Sequence, residues 1–187
     1  NEVVVTITEN GGNVEYDGTE KSVSGYEFSA SNELYKKSDF TFSGNDTVKG
    51  TNVGTYDMEL KPSDFTNNNQ NFSKVTFVIV DGQLNITPKS IETGKNMSVE
   101  ALADVVYNGQ PQLQKPVVKD GEKTLVEGTD YTLSYEGDTT NVGTVKVVVT
   151  GIGNYAGTTD VTYKITQRSV TLTSVTDSKP YDGTALT

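Results

Sequence analysis

Cysteine, histidine and tryptophan are all absent from the 187 residues. Without cysteine there is no disulfide framework and no thiolate metal site, and without histidine there is no imidazole ligand or base. A serine nucleophile would therefore lack its usual activating partner. Missing tryptophan removes the broadest aromatic platform a sugar could stack on. Basic residues are also short, 15 against 25 acidic ones, for a net charge of −10 and a pI near 4.4. That balance argues against binding nucleic acid, which needs lysine and arginine for its phosphates. It argues equally against docking on anionic membranes, and reads as solubility and self-repulsion. No apolar run approaches the ~20 residues that a membrane-spanning helix needs. Alanine, leucine and arginine are scarce while threonine, valine, tyrosine and glycine are frequent, a composition that suits strands better than helices. Only 33% of residues are hydrophobic, so small cores form only if those residues alternate strictly.

What is present is repetition. Tyr16-Asp17-Gly18-Thr19 recurs as Tyr107-Asn108-Gly109-Gln110 and as Tyr181-Asp182-Gly183-Thr184. Asn52-Val53-Gly54-Thr55 recurs as Asn141-Val142-Gly143-Thr144, 36 and 34 residues after the respective tyrosines. Leu84-Asn85-Ile86-Thr87, with Lys89-Ser90-Ile91 behind it, is echoed by Tyr163-Lys164-Ile165-Thr166, with Arg168-Ser169-Val170 behind it. Val5 and Val170 both lie eleven residues before their tyrosines. These markers divide the chain into a unit at 1–88, a second at 89–166, and the opening of a third at 167–187. The sequence is thus expected to begin and end inside a longer repetitive protein.

Period-2 alternation marks the strands. Val3, Val5 and Ile7 form one row, Tyr56, Met58 and Leu60 another, and Val75, Phe77 and Ile79 a third. In the second unit the rows are Tyr131, Leu133 and Tyr135; Val145, Val147 and Val149; and Val161, Tyr163 and Ile165. The alternation predicts that Val147, Tyr163, Ile165, Met58 and Phe77 are buried, and that Lys146, Lys164, Asp57 and Thr76 are exposed. The intervening residues are polar, as in antiparallel sheets with one wet face. Turn residues at Asn10-Gly11, Asp81-Gly82, Asp120-Gly121 and Gly151 to Gly153 separate short strands. The fold expected is all-β, tandem Ig-like antiparallel β-sandwich repeats of roughly seven strands each. Helical potential is confined to Ser98 to Val105. The alternative is a β-grasp-like unit with one helix.

The Tyr-Asp-Gly turn, the Asn-Val-Gly-Thr-Tyr segment and the ending Phe77 to Pro88 resemble the MBG and YDG-type repeats of bacterial surface proteins. The second unit is similar to the related pattern, through Gly128-Thr129-Asp130-Tyr131 and Gly153-Asn154-Tyr155-Ala156-Gly157. The resemblance implies a stalk module in a long, secreted, wall-anchored, adhesin-like protein, commonly of Gram-positive bacteria. It supplies no catalytic residues.

Each candidate site has a competing structural role. Tyr16, Asp17 and Gly18, with Tyr107, Asn108, Gly109 and Tyr181, Asp182, Gly183, could present an aromatic beside a polar group to a ligand. Recurrence in every unit instead favours a tyrosine at the core edge, with Asp or Asn and Gly making the turn. Glu15, Asp17 and Glu20, and Glu136 and Asp138 with Asn141, could offer oxygens to calcium. Neither group has the spacing of a calcium loop, so the carboxylates read as solvated loop charge. Tyr26, Tyr35 and Tyr155 lie near turns, as does Phe28, and are the candidate contacts for a sugar or a host protein, while the competing and favoured role for most of these rings is in the core or as staples. The expectations are therefore no catalysis, no metal and no cofactor. The partners expected are adjacent repeats of the same chain, with a host glycan or protein as the alternative, and neither nucleic acid nor membrane insertion. The tail, whose opening strand would run from Val170 to Thr173, is expected to add to a sheet edge of a neighbouring molecule.

Overall fold

The computed structural model describes residues 2–94, 96–174, 177, 178 and 180–183. Ten strands precede Pro88: β1 (Glu2–Glu9), β2 (Gly12–Glu15), β3 (Lys21–Ser24), β4 (Tyr26–Ala30), β5 (Phe40–Phe42), β6 (Thr47–Gly50), β7 (Gly54–Asp57), β8 (Phe65–Asn67), β9 (Lys74–Val80) and β10 (Gln83–Thr87). Nine follow it: β11 (Lys89–Ser90), β12 (Met97–Val99), β13 (Val105–Val106), β14 (Val118–Asp120), β15 (Lys123–Thr124), β16 (Tyr131–Glu136), β17 (Gly143–Gly151), β18 (Tyr155–Ala156) and β19 (Thr158–Thr166). Strands pair only within the first ten or within the last nine. The result is an all-β, sandwich-like architecture of several small sheets.

Three expectations are corrected. The sheets are mixed, because β1 runs parallel to β9, β2 to β10, β11 to β18 and β13 to β19. Alternation reports which face a residue occupies, not which strand lies beside it, so it carries no signal for parallel pairing. The strands are also shorter and more numerous than seven per unit, since bends cut long strands in two. Finally, no α-helix occurs among the described residues. Met97–Val99 is strand, and β13 begins at Val105, where helical potential was read. Short 3₁₀ turns at Lys37–Asp39 and Pro62–Asp64 are the nearest features. The helix-containing β-grasp alternative is set aside.

In the first set the chain doubles along itself. Segment 2–15 lies beside segment 74–87 in parallel, from Val3 opposite Val75 to Thr87 opposite Glu15, and both bend together at Asn10-Gly11 and Asp81-Gly82. The bend moves the ribbon from one sheet (β4-β1-β9) to the next (β2-β10-β7). Its packing is tight: a Cβ on Gly82 would strike the carbonyl oxygens of Glu9 and Asn10. Inside the corner, the buried Glu9 carboxylate accepts the Leu60 amide at 2.7 Å and the Gly82 amide at 2.8 Å. This satisfies the Gly82 amide at the bend and the Leu60 amide beyond the end of β7, neither of which lies within a strand. Val3, Val5 and Ile7 from β1 meet Leu84 and Ile86 from β10 in the core. Phe28, Tyr35, Phe40, Phe65 and Phe77 join them through ring centroids 5.5–6.3 Å apart, at the spacing aromatic pairs prefer.

The second set is built around β16-β17-β19 with β13 on the far edge. Register sets Val147 opposite Tyr135 and Val161, and Val145 opposite Tyr163. The inward parity holds: Val147, Tyr163, Ile165 and Met58 are buried, and Lys164, Asp57 and Thr76 are exposed. Phe77 is half-buried rather than buried, because β9 is the edge strand of its sheet. Lys146 is half-buried rather than exposed, on an interior strand of the sheet with its ammonium 2.8 Å from Glu136. Residues 167–174 form no strand, and Val170 and Leu172 are exposed, so the expected opening strand is not formed within this chain.

Candidate functional site at the junction of the two strand sets

The repeated tyrosine turns have one backbone construction. Asp17 Oδ1 accepts the Thr19 amide at 2.9 Å, and Asn108 Oδ1 accepts the Gln110 amide at 2.9 Å. Both following glycines take left-handed φ, +83° and +80°, which suits a residue without Cβ. Just before the turn, the Tyr16 amide donates to the Thr87 carbonyl and the Tyr107 amide to the Thr166 carbonyl, each at 2.9 Å. The last core strand is gripped in the same way twice. Ile86 lies opposite Val14 and Gly54, and Ile165 lies opposite Val105 and Gly143. The sequence repeat is therefore a structural repeat, residue for residue, along this strip.

The first tyrosine turn does more than turn. Tyr16 is buried, and its ring meets Tyr155 edge-on at 5.6 Å. Tyr155 stands on the Gly153–Gly157 turn of the second set, where it is buried and its hydroxyl donates to Asp120 Oδ2 at 3.2 Å. Asp120 Oδ1 holds Lys89 at 2.5 Å, in a pair whose side chains are only 16% and 13% exposed. Lys123 lies over both rings, 5.5 Å from the Tyr155 centroid and 6.0 Å from that of Tyr16. Beside this stack, the Asn154 side chain reaches across to the first set. Its Oδ1 accepts the Val53 amide at 2.8 Å, and its Nδ2 donates to Asn52 Oδ1 at 3.0 Å. Lys89 and Ile91 amides donate to the Asn154 and Ala156 carbonyls, which closes β11 on β18 at the start of the second set. A cleft of about 150 Å³ lined by Glu15, Lys89, Ser90, Glu92 and Gly94 runs along the same seam.

Three motifs conspicuous in the sequence thus converge on one place: the Tyr16 turn, the Asn52-Val53 segment and the Gly153–Gly157 turn. Periodicity and spacing gave no sign that they meet, since Asn154 lies about a hundred residues from its partners. Electrostatics follow from the packing. Burial, and next the Asp120 carboxylate, push the Tyr155 hydroxyl well above the usual tyrosine range. Hydrogen bonds from Lys21, then from the Thr19 side chain and amide, hold the exposed Asp17 carboxyl well below the usual carboxylate range.

The other candidate residues are placed differently from what exposure-based recognition requires. Tyr35 and Tyr155 are each 2% exposed and take the core role that was weighed against ligand contact. Tyr35 was drawn into the aromatic core, where its hydroxyl donates to Asn67 Oδ1 at 2.9 Å. Tyr26 is half-buried, packed against Phe42 and Phe65 with the Lys37 ammonium 4.7 Å from its ring centre. Tyr107 and Tyr181 are exposed. The acidic groups are engaged locally: Glu136 by Lys146, Glu20 by Lys49, and Asp138 by the Thr140 and Asn141 amides and the Asn141 side chain. Among the described residues no three acidic side chains gather as a metal group would. No helix there is long and apolar enough to cross a membrane.

Fold and junction together define a class: small all-β repeats set in tandem through a packed seam. Residues 3–88, which hold the first set of strands, match the family model described as the MBG domain. MBG domains are found in surface proteins. No curated protein and no solved structure matches the chain.

Proposed function

We propose that the chain is a non-catalytic stalk module of a secreted, wall-anchored, adhesin-like surface protein, two repeats of a semi-rigid rod that holds another part of the protein away from the cell. The observation that carries this reading is the seam. The recurring residues are used to join one repeat to the next, with Asn154 bonded to two groups of the first repeat and Tyr155 packed edge-on against Tyr16. The connection Thr87-Pro88-Lys89 contains no flexible spacer and passes directly from β10 into β11. Rigidity is what such a seam supplies, and the family match agrees with a surface location.

The absence of cysteine makes the test clean, because two introduced thiols are unique labelling sites. Spin labels on the exposed strand positions Thr41→Cys and Thr132→Cys, one in each repeat, report the distance between repeats. A stalk gives one narrow distance distribution. A broad distribution, unchanged when the seam is disrupted by Asn154→Ala, would overturn the reading.

A further inference from the structure

The strip that receives the second repeat exists twice in this chain. On the first repeat it comprises Tyr16, Asn52 and Val53, covered by the Asn154-Tyr155 turn. On the second repeat the corresponding residues are Tyr107, Asn141 and Val142. They stand on the same backbone frame, with the Tyr107 amide on the Thr166 carbonyl and Gly143 opposite Ile165. Their surroundings differ in two respects: Asn141 Nδ2 donates to Asp138, leaving its Oδ1 to take the bond that Asn52 Oδ1 accepts from Asn154, and the second strip is more exposed. Tyr16 is 7% exposed whereas Tyr107 is 36% exposed, and Val142 is 53% exposed. The segment leaving each strip differs in the same way. Ile91, in Lys89-Ser90-Ile91, is fully buried against the seam, while Val170, in Arg168-Ser169-Val170, is 80% exposed.

We infer that the Tyr107–Asn141–Val142 end of the second repeat is a docking face for a further repeat of the 89–166 kind, which seats its own Asn-Tyr turn there. The inference rests on the stalk reading and adds the occupant, its orientation and the chemistry of recognition. The occupant follows from the covered strip. By analogy with the covered strip, an aromatic edge packs on Tyr107, and a side-chain amide accepts from the Val142 amide and donates to Asn141 Oδ1 together. A side-chain amide offers an acceptor and a donor in one plane for that pair, as Asn154 does on the first strip. The contact is head to tail, so each added repeat presents the same face again and growth proceeds in one direction. Apolar Val142 and Val170 are then covered by the incoming repeat, as Val53 and Ile91 already are.

The test reads the Val142 amide by hydrogen exchange in two proteins: the present chain, and the chain in which a copy of residues 89–166 follows Gln167. In the present chain the Val53 amide is protected and the Val142 amide exchanges freely. In the extended chain, Val142 slows by about tenfold or more, approaching Val53. Alanine at the copy's counterpart of Asn154 returns Val142 to free exchange while the strand amides of the copy stay protected. A folded copy that leaves Val142 exchanging freely overturns the proposal. So does a copy that fails to fold, since the same residues fold behind the equivalent strip. Protection of Val142 that appears in the present chain and rises with its concentration also overturns it, because a second molecule would then be the occupant. The spin-label distance between the first two repeats is independent of Val142, so failure of the stalk reading and failure of this docking face give different results.

Discussion

At the scale of single residues, Glu9 shows how strongly one carboxylate can hold a corner. It is buried, and it accepts the Gly82 amide at the bend and the Leu60 amide beyond the end of β7. Removing it leaves both donors buried without a partner, at about 1–3 kcal/mol each. Glu9→Ala is expected to destabilise the first repeat by about 2–5 kcal/mol in urea unfolding, and Glu9→Gln, which retains one acceptor, by less. Equal effects of the two substitutions would contradict the clamp. Tyr155 gives a second prediction through its titration. An unfolded tyrosine ionises near 10.0, while burial and Asp120 hold Tyr155 protonated well above that. Between those two values the unfolded chain binds fewer protons than the folded one, so stability is complete below pH 10 and falls as the pH rises past it. Tyr155→Phe removes that contribution, and its stability is expected to fall less steeply than wild type from pH 9 to 11. An unchanged slope would show that Tyr155 is not held protonated.

At the scale of elements, the seam is made by turns and strand ends that recognise each other through side-chain amides and rings. Asn154 and Asn52 are the pair to separate experimentally. Asn154→Ala also loses the Val53 bond, so a double-mutant cycle with Asn52→Ala isolates their mutual bond. A coupling of about 0.5–3 kcal/mol is expected for groups in one hydrogen-bonded network, and additive effects would mean the contact is incidental. Much of the strand content was legible, because Val3, Val5 and Ile7 or Val145, Val147 and Val149 alternate with polar residues. That same alternation puts Glu9 on the inward face, where a carboxylate is seldom buried unless it is paired or hydrogen-bonded. Parallel pairing of β1 with β9 was not legible, since partner choice depends on distant chain segments meeting. A core role for Tyr35 and Tyr155 was the favoured reading, but the elements they pack on were not legible, because turns fold onto chain segments distant in sequence. The motifs themselves were plain, but that the Tyr16 turn, Asn52-Val53 and the Gly153–Gly157 turn share one seam emerges only in three dimensions.

At the scale of the whole molecule, the question is whether the two repeats behave as one cooperative body. Buried residues from both sides of Pro88 belong to one continuous apolar cluster that includes Ile7, Leu84, Tyr16, Tyr155, Ile91 and Met97. A break at the seam would expose those rings and side chains, so unfolding one repeat removes cover from the other. The chain is therefore expected to melt in a single calorimetric transition, with matching calorimetric and van't Hoff enthalpies. The weak point is Lys89. Its ammonium is tucked against Asp120, and Asp120 also accepts the Tyr155 hydroxyl. Asp120→Ala strands that cation in a mostly buried position, which costs more than the pair itself contributes. Full burial would put the loss at about 3–5 kcal/mol, and the residual exposure of Lys89 reduces it to about 1–3 kcal/mol. Concentrated at the seam, a loss of that size uncouples the repeats, and the single transition should split into two. Asp120→Asn, which still accepts from Tyr155, should split it less. Two transitions in the unaltered protein would show that the shared cluster does not couple the repeats, and that the seam positions them without making them one cooperative unit.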